Sequence, residues 1–166
     1  TIEYLKGITK RAGPFDGIAG FSEGAATVHM LLKMQHSGVD VGLSSVRFCI
    51  ALSPWISPAD NYRQVQILLP LLMVRGARDL PLFQDAFPRY KASFSNVRTH
   101  QHSGQHEYPA LDVGLRELVL EVLDEISSPV AEPHVNVSNE PRHISDSSPL
   151  GIFFLEPTGV KLAELG

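Results

Sequence analysis

The chain has 166 residues, 43% of them hydrophobic, and 14 Lys and Arg against 18 Asp and Glu give it a formal charge of −4 and a pI near 5.9. That length suits one globular domain with a tail rather than two complete domains, and the scattered basic residues form no stripe for nucleic acid. No apolar run approaches the roughly 18 residues of a membrane span, and the opening Thr1-Ile2-Glu3-Tyr4-Leu5-Lys6 lacks the basic and apolar regions of a signal peptide. A soluble, cytoplasmic protein is the default expectation.

Ile2, Leu5 and Ile8 recur at a spacing of three and predict a helix over 2–11 that Gly13-Pro14 stops. Short apolar runs bounded by Gly, Pro or Ser predict strands at 15–20, 46–53 and 69–75, and Asn96 to His100 would supply one more strand that ends at a histidine-containing loop. Continuous runs of this kind suit strands buried on both faces. Helical patterns fall between them at 25–34, 60–68, 82–93 and 110–126, the last placing Leu111, Leu115, Leu118, Val119 and Val122 on one side. Alternating strand and helix predicts an α/β fold with a mainly parallel sheet, helices on both faces and a ligand site at the carboxyl ends of the strands. The only cysteine, Cys49, lies inside Phe48-Cys49-Ile50-Ala51-Leu52 and reads as a small buried hydrophobe. From Ser127 the composition turns to Ser, Pro, Glu, Asn and His without periodicity, so 127–149 reads as a disordered linker. The tail, 150–166, opens with the apolar Leu150-Gly151-Ile152-Phe153-Phe154-Leu155, too short for a core of its own. It reads equally as the start of a neighbouring domain, a strand packed on this one, or an altered terminus.

One segment dominates the functional reading. Phe15-Asp16-Gly17-Ile18-Ala19-Gly20-Phe21-Ser22-Glu23-Gly24-Ala25-Ala26 runs from a strand-like to a helix-like pattern through Gly-Phe-Ser-Glu-Gly, the form of a nucleophile elbow. Such a turn projects the serine hydroxyl clear of the backbone, and its glycines allow close passage of chain segments. Ser22 is the candidate nucleophile. A hydroxyl is a weak nucleophile at neutral pH and needs a base and an acid to orient that base. Asp79 emerges from the turn after the run at 71–75, and His106 lies in a loop between the last predicted strand and helix. Asp85, inside a predicted helix, ranks behind Asp79, and His100 and His102, which share one face of a strand, rank behind His106. The three histidines match no zinc spacing. The chain order Ser, Asp, His is that of α/β-hydrolases. Trp55 and Phe21, near the strand ends, are candidate substrate-binding residues.

Gly-Pro-Phe-Asp-Gly-Ile-Ala-Gly-Phe-Ser-Glu-Gly-Ala-Ala, Arg-Gly-Ala-Arg-Asp and His-Ser-Gly-Gln-His-Glu-Tyr-Pro together resemble the FSH family of serine hydrolases over about residues 1–126. The resemblance implies a three-layer α/β-hydrolase fold and cleavage of carboxylic esters or thioesters through an acyl-serine, with Ser22 as nucleophile, Asp79 as acid and His106 as base, and no cofactor. The backbone N–H of Glu23 would be one oxyanion donor. Family members usually carry Gln where Glu23 stands and Gly where Gln105 stands, and they open with a strand and a His-Gly loop that supplies the second donor. With no such segment ahead of Thr1, the chain is expected to be N-terminally truncated, slow, and exposed at a sheet edge. The alternative expectation is a non-catalytic domain that retains the fold for binding.

Overall fold

The computed structural model describes residues 2–56, 64–110, 112–127, 150–156 and 159–165. In chain order they form α1 (Ile2–Ala12), β1 (Gly17–Phe21), α2 (Glu23–His36), β2 (Phe48–Leu52), β3 (Ile67–Gly76), α3 (Pro81–Lys91), β4 (Phe94–His102), α4 (Val113–Ser127), β5 (Leu150–Glu156) and β6 (Gly159–Leu165). The strands make one sheet in the order β4-β3-β2-β1-β5-β6. The first five are parallel to their neighbours, and β6 runs antiparallel to β5.

Successive strand residues point to opposite faces, and the core divides accordingly. On one face Ile18, Cys49, Leu71 and Met73 pack with Leu5 of α1, Val28, Leu31 and Leu32 of α2 and Tyr90 of α3. On the other, Ala19, Phe48, Leu72 and Val74 pack with Leu115, Val122 and Ile126 of α4. Helices on both faces explain why the sequences of β1, β2 and β3 are apolar without alternation, whereas β4, at the end of the strand order, is more polar. Tyr90, fully buried, satisfies its hydroxyl by donating to the Ala25 carbonyl at 3.0 Å, which ties α3 to the helix that follows the elbow.

Two expectations are corrected. The helix expected over 60–68 is absent from its described part: Gln64–Gln66 are turn and coil, and Ile67 already belongs to β3. Residues 60–63 lie outside the described residues. The run Ile67-Leu68-Leu69 extends because Ile67 pairs with Phe94 and is wholly buried. Pro70, which has no N–H for a ladder, sits where the β3–β4 register shifts, ahead of the β2–β3 pairing that begins at Leu71. Proline is tolerated in a strand at such irregular positions.

The second correction concerns the edge expected to lie bare beside β1. β5 pairs with β1 there, from Gly17↔Ile152 to Gly20↔Leu155. Of the three readings of the tail, a strand packed on this domain is the one that describes 150–156. The apolar run supplies the driving force: Phe153 is wholly buried and its ring lies 5.2 Å from that of Phe15, while Ile152 joins the α4 face of the core. Burying one such aromatic contributes about 1.5–3 kcal/mol relative to exposure. Of the stretch 127–149, expected to be a disordered linker, Ser127 is instead the last residue of α4, and 128–149 lie outside the described residues.

Candidate active site

β1, β2, β3 and β4 end at the same side of the sheet, and three polar side chains converge there. Ser22 follows β1 immediately and precedes the first residue of α2. Its backbone, at φ 56° and ψ −121°, lies in the region that favours glycine and costs a serine about 1–3 kcal/mol. The conformation is held by neighbours: the Ser22 amide donates to the Leu52 carbonyl of β2 at 3.0 Å, and the Ser22 carbonyl accepts from the amide of Ala25 at 3.1 Å. Gly20 is required because a Cβ there would meet the backbone of Gly24 and Ala25 at 2.6–2.7 Å. Although Ser22 occupies the N-cap position of α2, its hydroxyl makes no capping bond. It lies 2.9 Å from Nε2 of His106 instead.

Nδ1 of His106 lies 2.9 Å from Oδ1 of Asp79, whose side chain is almost wholly buried. In the tautomer with the proton on Nδ1, that nitrogen donates to the Asp79 carboxylate. That leaves Nε2 as the acceptor for the Ser22 hydroxyl. Asp79 Oδ1 also accepts from the Leu80 amide at 2.9 Å, and Gln84 Nε2 donates to the Asp79 carbonyl at 2.6 Å.

The acid turn and the base loop are joined through backbone. Ala77 donates to the His102 carbonyl at 2.8 Å and Arg78 to the Gly104 carbonyl at 3.0 Å, with Arg78 Nε reaching the Ser103 carbonyl at 3.0 Å. Gly76 makes this approach possible, since a Cβ would collide with the carbonyls of Gly104 and Gln105. Gln105, where the family pattern has glycine, is not at positive φ; among the described residues only Ser22 and Ser53 are non-glycine residues there. Its side chain therefore brings no backbone strain.

The remaining candidates fall as follows. Glu23 is exposed at the start of α2, where the first amides of a helix have no intrahelical partner. Trp55 lines an open cleft of about 340 Å³ together with Ser22, Glu23, Leu82 and Phe83. Phe21 is not among those lining residues; its ring stacks on Tyr108 at 4.4 Å and lies 4.9 Å from the ring of His106. Asp85 is exposed on α3. His100 pairs with Asp112 at 3.1 Å, and His102 Nδ1 accepts from the Gly104 amide at 3.2 Å, so both histidines have partners other than Ser22. Cys49 is fully buried, and burial pushes its thiol well above the ordinary range, which makes it packing and not a second nucleophile. Sequence reasoning missed Phe83, which follows the acid by four residues in the first turn of α3 and stacks on His106 at 3.9 Å. It also missed Ser53, buried at the end of β2 with φ 41°. The signal for Phe83 was its place just beyond a strand-end carboxylate; a serine at positive φ carries none.

The sheet, its flanking helices and the strand-to-helix serine turn define an α/β-hydrolase fold. The crystal structure of a Bacillus cereus carboxylesterase shares that fold, with a TM-score of 0.54 at 16% identity over 75% of this chain and 59% of the other. The chain belongs to the family described as Serine hydrolase (FSH1), which matches residues 1–117, a span that contains Ser22, Asp79 and His106. Esterase OVCA2 of Danio rerio is 31% identical over 114 residues, covering 66% of this chain and 50% of that protein. Esterase OVCA2 of Homo sapiens is 31% identical over 121 residues, covering 70% and 52%. The chain thus spans about half the length of these relatives.

Proposed function

We propose that the chain carries the catalytic centre of a serine hydrolase that cleaves carboxylic esters or thioesters through an acyl-serine intermediate. The observation that carries this reading is the continuous hydrogen-bonded line from Ser22 through His106 to Asp79, with both bonds at 2.9 Å. The Ser22 hydroxyl attacks the acyl carbon while His106 Nε2 removes its proton. Asp79 keeps the imidazole in the tautomer that can accept it and stabilises the resulting cation. The tetrahedral oxyanion forms beside the start of α2, where the Glu23 N–H is the proposed donor and the positive end of the helix dipole favours negative charge. His106 then returns the proton to the departing alcohol or thiol. Water, activated by the same base, releases the acid and regenerates Ser22.

The cleft supports an acyl substrate. Trp55, Leu82 and Phe83 give it an apolar wall beside Ser22, and the exposed Leu80 extends apolar surface at the foot of α3. These esterase-named relatives favour the same substrate class by kinship. The test is steady-state hydrolysis of p-nitrophenyl esters and acyl thioesters by the chain and its Ser22→Ala variant. Hydrolysis falling by about 10⁶ in kcat in the variant is the expected result. Hydrolysis by both proteins at one rate would remove Ser22 as the nucleophile, and hydrolysis by neither while both are folded would leave a binding domain in its place.

A further inference from the structure

His106 sits on the irregular loop 103–107, with no helix or strand of its own to fix it. Its two ring nitrogens are tethered to Asp79 and Ser22. The Cβ–Cγ bond and these two hydrogen bonds together set the plane of the ring, so the ring tilts whenever the loop that carries Cβ shifts or the bond at Nε2 breaks during the reaction. Aromatic rings restrain this motion. Phe83 of α3 stacks on the imidazole at 3.9 Å and 26°, and Phe21 of β1 lies against it at 4.9 Å and 33°. Tyr108 stacks on Phe21 at 4.4 Å, and Phe154 of β5 lies 6.2 Å from Tyr108. A chain of rings from Phe154 to Phe83 therefore runs through the imidazole, drawn from β5, the stretch after the base loop, β1 and α3.

We propose that Phe83 and Phe21 are positioning residues that hold His106 by its ring faces, with Tyr108 and Phe154 as backing. The inference rests on the Ser22–His106–Asp79 reading and deepens it. The need follows from the reaction cycle. Nε2 must release Ser22, address the leaving group and then address water, so its hydrogen bond changes partner at the moments when orientation matters most. Contacts on the ring faces persist through every step. They also set aromatic faces, which attract cations, against the imidazolium formed when Ser22 is deprotonated. Misplacing a reacting group by about 1 Å is enough to cost about 10²-fold in rate.

The test uses Phe83→Leu, which keeps an apolar side chain and removes the flat face, beside Phe83→Tyr, which restores a ring. Two quantities are measured at a temperature where thermal unfolding shows every variant folded: the second-order rate of labelling by a small fluorophosphonate, and the far-downfield proton NMR signal of the His106–Asp79 hydrogen bond, assigned by its loss in Asp79→Asn. Labelling is expected to slow by about 10- to 100-fold in Phe83→Leu, with the signal broadened by faster exchange, and Phe83→Tyr should recover most of both. Phe154→Ala should shift both in the same direction by less. An unchanged rate and a sharp signal in Phe83→Leu would overturn the positioning role even if its thermal stability fell. A parent chain with neither labelling nor a signal that depends on Asp79 would overturn the triad reading and this inference together.

Discussion

Ser22 and His106, the proposed nucleophile and base, are fixed by different means. Ser22 is placed by backbone: an elbow strained at φ 56°, an amide bonded to the neighbouring strand, and a glycine two residues earlier that lets α2 close on β1. His106 rides on a loop that backbone bonds tie to the Asp79 turn, and its ring is placed by side chains, Asp79 and Ser22 at its nitrogens and Phe83 and Phe21 against the ring. Backbone placement needs only a few consecutive residues and one neighbouring strand, β2. Side-chain placement needs several elements to be in position first, so the base is the half of the site that distant substitutions should reach.

Substitutions can break this contrast from either end. Asp79→Asn should have the largest effect on the base side, about 10⁴-fold in kcat/KM, because the amide no longer requires His106 to carry its proton on Nδ1. Circular dichroism matching the parent would show that orientation and not folding was lost. Gly76→Ala should come next, since its Cβ has no room beside the Gly104 and Gln105 carbonyls. Overpacking of this kind costs about 1–3 kcal/mol and moves the base loop, so activity should fall by about 10²-fold together with a lower midpoint in urea. On the elbow side the expectation inverts. Ser22→Gly should be more stable than Ser22→Ala by about 1 kcal/mol while both are inactive, because glycine adopts the elbow conformation without strain. Equal stability of the two would mean that the elbow stores no strain.

The smallest effect lies at the start of α4, away from the chemistry. Asp112 accepts the Leu115 amide at 2.8 Å, and that bond, with His100 beyond it, holds the carboxyl below its ordinary range. A carboxyl lowered in the folded state stabilises above its unfolded value and loses that contribution as pH falls through the folded one. The thermal midpoints of the chain and Asp112→Asn should therefore differ near neutral pH and converge below the ordinary carboxylate range.

The same contrast explains what the sequence revealed. The elbow was legible because its strand, its two glycines and its serine are consecutive. Asp79 was legible as a carboxylate just beyond an apolar strand, and His106 as a histidine in the loop between the last expected strand and helix. The aromatic setting of His106 was hidden because Phe83, Phe21, Tyr108 and Phe154 line up through its ring only after α3, β1, β5 and the stretch after the His106 loop have packed. The tail was hidden for a related reason: an apolar run of six residues states that it will be buried but not against which strand, and only the open side of β1 decides. The misread helix at 60–68 shows the limit of periodicity, where Ile67-Leu68-Leu69 fits a buried strand as well as a helix. The positive φ of Ser53 had no glycine to announce it.

Activation of Ser22 by His106 and Asp79 is tested by intact-mass analysis after brief exposure of the folded chain to a fluorophosphonate. A single adduct is expected that maps to Ser22, is absent from Ser22→Ala and forms far more slowly in His106→Ala. A folded chain that takes no adduct, or a His106→Ala variant labelled as fast as the parent, would contradict that activation.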